Sequence, residues 1–293
     1  MKKEEFYNID DQIDDLFFDY FLLEDPTPNI ADLYHYTTFE GAKGILGGKS
    51  ISLRFTRWDC FADSYEGKFV LDVYQDVCKY ALSTGRINNE FYKEIIDVKP
   101  HNLIISNDLK PQIVIKPSTY YICCLSTEKD SEKLWNHEDR DIQFNIQFKV
   151  LFDQLKANSS KSFAIKKVLY DSQEQKNLLL CKIDKAYNYF CKEKSALCKI
   201  KWYLSELLDV FQFVFKKSYY DFESEYRIIY RISEDEAKQK SKVKFYKGRP
   251  SIYIEIPNIP TECVAKVFYK PKAKEDILKI LQEKSMEDRL EQI

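Results

Sequence analysis

The chain has 293 residues, 45 basic against 47 acidic for a net charge of −2, with 44% hydrophobic and 15% aromatic residues. That balance removes any global-charge argument for nucleic-acid binding, and no apolar run reaches the roughly 18 to 20 residues needed to span a bilayer. Eight cysteines without a Cys-x-x-Cys pair, in a chain of this length whose Met1-Lys2-Lys3-Glu4-Glu5 start is no signal peptide, argue against a disulfide framework or a zinc site. Most of them read as reduced, buried, small hydrophobes, and the expected setting is cytoplasmic, without membrane or metal.

In chain order, Ile13, Leu16, Phe17, Tyr20 and Phe21 recur at helical spacing, which predicts an amphipathic leader helix within residues 1–30. Glu24-Asp25-Pro26-Thr27-Pro28 breaks it. The main body, 31–293, reads as a single domain. It opens with a short strand around Leu33-Tyr34-His35-Tyr36, then a helix from Phe39 to Leu46 capped by Thr37 or Thr38 and ended by Gly47-Gly48. Ile51 to Phe55 alternates as a second strand. Residues 57–66 read as a loop, followed by a helix to about Leu82 and a mixed region over 85–117.

Tyr120 to Ser126 predicts a buried strand, Lys133 to His137 a helical turn, and Ile142 to Phe148 a strand with one buried face, from its strict alternation. Ser162 to Tyr170 predicts a further strand. The stripes Leu178, Leu179, Ile183, Tyr187, Phe190 and Trp202, Leu204, Leu207, Leu208, Phe211, Phe215 predict a two-helix insertion over about 172–216. Strands return at 225–232, 242–246, 251–256 and 264–269, and a polar amphipathic helix starts at Lys274. The mixed order defines an α+β class.

Four constellations carry candidate chemistry. His35 lies in the first strand, and the chain holds only two other histidines, His101 and His137. It is either a hydrogen-bonded structural residue or a ligand for a ribose hydroxyl. Arg54, near Asp59, Asp63 and Glu66, fits a phosphate or carboxylate clamp, or a surface ion pair. Ser126-Thr127 closes a strand ahead of Trp135-Asn136-His137, where Trp135 suits a core and His137 a surface position. Glu223, Glu225 and Arg227, two residues apart, are expected on one strand face, either as a solvated, aggregation-resistant edge or as the lining of a cleft. Paired acids there can divide acid and base roles or stabilise a cationic sugar. P-loop, dinucleotide-fold, α/β-hydrolase and zincin motifs are missing from the sequence.

Five segments, in order, resemble one bacterial family. They are Leu33-Tyr34-His35-Tyr36-Thr37-Thr38 with Ala42 and Ile45-Leu46; Phe61-Ala62-Asp63-Ser64-Tyr65-Glu66, with Ala62 in place of the usual Asn; Cys124-Leu125-Ser126 with Leu134-Trp135; Lys167-Val168-Leu169-Tyr170; and Glu223-Ser224-Glu225-Tyr226-Arg227. The resemblance is to the domain-of-unknown-function 2971 family, over roughly 31–272, whose motif order is similar to that of ADP-ribosyltransferase folds. It implies an ADP-ribosyltransferase-like mixed or antiparallel sheet with flanking helices, NAD as substrate and no metal. It places His35, Tyr36, Thr37, Arg54, Ser126 and Arg227 at the nucleotide. It gives Glu225 the catalytic role and Glu223 the orientation or activation of an acceptor. The middle element is only partly present as Ser126-Thr127.

Three functions compete on this reading. One is an NAD-consuming transferase or hydrolase, acting as a toxin or phage-defence effector on a protein or nucleic-acid acceptor. The second is a ligand-sensing or protein-binding module of the same fold without the chemistry. The third is a nucleic-acid-binding or -modifying protein using the basic runs Lys166-Lys167, Lys199–Lys201, Lys216-Lys217 and Lys242–Arg249.

Overall fold

The structure, a computed structural model, describes residues 32–48, 50–61, 67–100, 118–137, 140–159, 163–246 and 248–293. The predicted leader 1–30, His101 and the Ala62–Glu66 part of the second motif lie outside these residues. In chain order the elements are β1 (Asp32–Thr37), α1 (Phe39–Leu46), β2 (Ile51–Arg57), α2 (Phe69–Ser83), α3 (Asn89–Ile95), β3 (Ser118–Ser126), α4 (Glu132–Asn136), β4 (Ile142–Gln147), α5 (Phe148–Ser159) and β5 (Phe163–Lys167). They continue with α6 (Ser172–Lys192), α7 (Leu197–Phe211), β6 (Glu225–Ser233), α8 (Glu234–Lys240), β7 (Lys242–Tyr246), β8 (Arg249–Ile259), β9 (Val264–Tyr269), α9 (Lys274–Gln282) and β10 (Leu290–Gln292). Strands and helices are mixed along the chain, and the class is α+β. Among the described residues no helix is long and apolar enough to cross a membrane.

Where the sequence reads 31–293 as one domain, contacts group the chain into two compact units. The helical unit takes its described elements from Asp63–Pro117 and Leu169–Ser218, so α6 and α7, read from sequence as an insertion, share a unit with α2 and α3. Its core follows the apolar stripes. Leu179, Ile183, Phe190, Leu204, Leu207 and Phe211 are all buried, and Phe91 packs on Phe190 at 5.0 Å between ring centroids. Surface ion pairs Glu90–Lys194 and Arg86–Asp184 tie α3 to the segment after α6 and tie the end of α2 to α6 itself. The expectation that most cysteines are buried is corrected: Cys78, Cys123 and Cys263 are, whereas Cys60 and Cys124 are half-buried and Cys181, Cys191 and Cys198 are exposed on α6 and α7.

The sheet unit comprises Leu23–Ala62, Ser118–Val168 and Tyr219–Ile293. Its ten described strands form one mixed sheet, ordered β10-β9-β4-β1-β3-β2-β8-β7, with β6 paired to β3 and β5 paired to β6. One face carries the main core, including Leu33, Phe55, Tyr121, Phe144 and Tyr230; Phe163 stacks on Tyr230 at 4.2 Å. The other face bears a smaller cluster of Tyr34, Tyr36, Leu134, Trp135 and Phe268.

This second cluster corrects the expectation that β4 buries one face only. Its polar positions Gln143 and Asn145 are 0% and 7% exposed. The 127–131 turn and Trp135 cover them: Gln143 Nε2 donates to Lys129 O at 2.9 Å, and Trp135 meets Tyr36 edge-on at 5.1 Å. Alternation reports polarity, and here both polar and apolar positions are buried.

The middle of the sheet has a split edge. β6 pairs with β3 along its full length, from Ser118↔Ser233 to Ser126↔Glu225. The opposite edge of β3 is shared: β2 takes it at Tyr121 and Ile122, and β1 takes it only at Ser126. Between those contacts β1 and β2 diverge from β3.

Candidate functional site

The divergence is filled in part by His35. Its Nδ1 lies 2.9 Å from the carbonyl oxygen of Cys124, in the stretch of β3 between the β1 and β2 pairings. A carbonyl only accepts, so Nδ1 carries the proton, and the neutral ring leaves Nε2 as an acceptor. Burial pushes the His35 pKa below its ordinary range, and the Arg140 charge pushes it the same way. The neutral ring is therefore the form at physiological pH.

A cavity of about 290 Å³ opens here, at the lower end of the size range of small-molecule sites. His35, Thr37, Thr38 and Gly41 line one side, Arg54 and Thr56 of β2 the middle, and Ser251, Tyr253 and Lys244 of β8 and β7 the other side, with Arg140 also on the wall. Thr38 caps α1 by accepting from Gly41 N at 3.1 Å, the expected capping role. The backbone of Asp141, next to Arg140, donates to Thr37 O at 3.0 Å, which fixes Arg140 beside the end of β1.

Arg54 is held on three sides. Its Nε bonds Glu255 Oε1 at 3.2 Å, its guanidinium lies over the Tyr253 ring at 4.9 Å, and it passes so close to Gly44 that a Cβ there would overlap it. Lys242 also pairs with Glu255, and together these two cations hold the Glu255 carboxyl below its ordinary range against the opposing effect of burial. Among the described residues no acidic side chain lines the cavity, and none forms an ion pair with Arg140 or Lys244. The wall thus carries an excess of positive charge around an aromatic ring, which suits an anionic ligand with a planar or sugar portion.

Of the sequence-predicted residues, the structure brings His35, Tyr36, Thr37 and Arg54 to this cavity. Ser126, Glu223, Glu225 and Arg227 are not among its lining. The Ser126 hydroxyl donates to Glu223 O at 2.6 Å and accepts from Glu128 N at 3.0 Å, so it ties the β3 end to the turn before β6.

The expected common face of Glu223, Glu225 and Arg227 is corrected. Glu223 ends a 3₁₀ turn, Ser218–Glu223, and Ser224 follows with φ 41°, a left-handed residue that redirects the chain before β6 begins at Glu225. Glu225 and Arg227 do share a face, but it is neither solvated edge nor open cleft. They are 6% and 1% exposed and joined by Arg227 Nη2 to Glu225 Oε2 at 2.9 Å.

Register separates that pair from His35. Tyr34 stands opposite Ser126, and Ser126 opposite Glu225. Directly opposed residues share a sheet face, so Glu225 shares the face of Tyr34. His35, one residue on, points the other way and pairs in register with Phe144 of the main core face.

Sequence reasoning missed Arg140, Lys244, Tyr253 and Gly44 as site residues. The signal for Lys244 was present in β7, where it alternates with Val243 and Phe245, 59% and 71% exposed; it read only as part of a basic run. The basic runs divide between the units: Lys166-Lys167 and Lys242–Arg249 are in the sheet unit, Lys199–Lys201 and Lys216-Lys217 in the helical unit. Lys201 and Lys242 are engaged by Glu94 and Glu255. Among the described residues no group of three or more His, Cys, Asp or Glu stands close enough to hold a metal ion. Comparison of the chain with protein-family models, with curated proteins and with solved structures finds no match in any of the three.

Proposed function

We propose that the sheet unit is an ADP-ribosyltransferase-like module of the domain-of-unknown-function 2971 type that binds NAD, or a nucleotide like it, at the split edge of β3, as a sensor and without NAD cleavage at Glu225. The observation that carries the binding half is the cavity wall, which Arg54, Arg140, Lys244 and Tyr253 line with no acid among the described lining residues. Arg54 and Arg140 suit the pyrophosphate. His35 Nε2 suits a ribose hydroxyl as acceptor. A cavity of about 290 Å³ takes one nucleotide half of the dinucleotide and leaves the remainder outside.

The observation that favours sensing over catalysis is the Glu225–Arg227 pair. A carboxylate that stabilises a developing sugar cation has to face that sugar, and Glu225 is buried, engaged by Arg227 and not among the residues that line the cavity. Purified protein incubated with NAD and a bacterial lysate as acceptor source separates the two readings. The sensing reading predicts that NAD raises the melting temperature without release of nicotinamide. Release that disappears in Glu225→Gln would establish the transferase instead, and neither binding nor release would overturn both.

A further inference from the structure

The three cavity cations are not clustered. Arg140 stands beside Thr37 at the end of β1, whose carbonyl is bonded by the next residue's backbone. Arg54 is central on β2, opposite Glu255. Lys244 is on the outermost strand, opposite Ser251. Tyr253 lies between the last two along β8, two residues from Glu255 and two from Ser251, so Arg54 and Lys244 flank it diagonally. Two strand spacings and four residues of rise put the Arg54 and Lys244 backbones roughly 16 Å apart.

Arg54 cannot swing to shorten that span without breaking contacts, since Glu255, Gly44 and the Tyr253 ring fix its head. A phosphate held by Arg54 on the Arg140 side leaves Lys244 unmatched at the far end. Arg54 shares Glu255 with Lys242, so that carboxylate does not cancel the charge of Lys244. A ligand with one anionic centre uses half of this wall; a ligand with two, separated by a ribose or base lying near Tyr253, uses all of it.

We infer, resting on the nucleotide-site reading above, that the cavity selects a nucleotide bearing a second phosphate as a phosphomonoester seated at Lys244, so that NADP binds ahead of NAD. The discriminating group is the additional terminal phosphate. Adenosine 2′,5′-bisphosphate carries the same two anions without the nicotinamide half and is expected to compete.

The test is calorimetric titration of NAD, NADP and adenosine 2′,5′-bisphosphate into the full chain, its Lys244→Gln variant, and Lys238→Gln, which removes the same charge from exposed α8. Loss of a charge-assisted contact corresponds to about tenfold or more in affinity. The expected result is NADP tighter than NAD by about that factor in the wild type and in Lys238→Gln, with the preference erased in Lys244→Gln because NADP loses more affinity there than NAD does. Equal binding of NAD and NADP overturns this inference and leaves the nucleotide site standing. Equal weakening of both ligands in Lys244→Gln also overturns it, by showing a non-selective field effect. Absence of binding by any of the three nucleotides overturns the site reading itself, and this inference with it.

Discussion

At the scale of single residues, a half-buried histidine and a buried ion pair carry opposite lessons. His35 is held neutral by burial, so protonation favours the unfolded chain. The stability it contributes is complete above its ordinary value of 6.5 and is lost as pH falls through its lower folded value. Melting temperature is therefore expected to fall between pH 7 and 5.5, with a shallower slope in His35→Gln, whose amide keeps a donor for Cys124 O; equal slopes would exclude His35 as the source. Glu225 and Arg227 are the converse case, an ion pair formed where water is excluded. Removing one partner takes the ion pair away from the other in a water-excluded setting, and Glu225→Gln is expected to cost about 3–5 kcal/mol in denaturant titration, with most of it restored in Glu225→Leu/Arg227→Met. A double variant no more stable than the single would contradict that origin. The identities of His35, Arg54, Glu225 and Arg227 as unusual strand residues were legible in the sequence, because charged and imidazole side chains stand out in apolar runs. Their partners were not. The separation of His35 from Glu225 depends on the Tyr34–Ser126–Glu225 register, which links segments far apart in the chain.

At the scale of elements, most strands and helices followed from local pattern, and the misses have physical causes. The helix α5 continues directly from β4, so its first residue Phe148 reads as the end of the strand and its buried Leu151, Phe152 and Leu155 were assigned to no element. α8 is a short polar helix capped by Ser233, which accepts from Glu236 N, and a seven-residue acidic-basic run looks like a loop. Ser224 has no glycine to announce its left-handed backbone, so a continuous strand from Glu223 was the natural expectation. α1 shows an element acting on the site. Gly44 gives the Arg54 guanidinium room to lie flat against the helix. Gly44→Ala is expected to preserve the fold, since Ala favours a helix by about 1 kcal/mol over Gly, yet to weaken nucleotide binding about tenfold by displacing the guanidinium. Unchanged affinity in that variant would remove Arg54 from the ligand contacts.

At the scale of the whole molecule, the sheet unit is assembled from three separated stretches of chain, and its cavity draws on β1, β2, β7, β8 and the segment before β4. The α+β class was legible because strands and helices are mixed along the sequence. The cavity was only half legible: the residues from β1 and β2 lie close in sequence, whereas Lys244 and Tyr253 arrive through the β2–β8–β7 pairings, which no local pattern encodes. The central claim is that this split edge is a nucleotide site centred on Arg54. Calorimetric titration of NAD into the wild type and Arg54→Gln tests it most directly, because Glu255 keeps Lys242 as a partner in the variant and the fold should survive, as an unchanged melting temperature would verify. Saturable binding by the wild type, weakened about tenfold or more in Arg54→Gln, is the predicted result; binding of equal strength in both proteins, or none in the wild type, would contradict it.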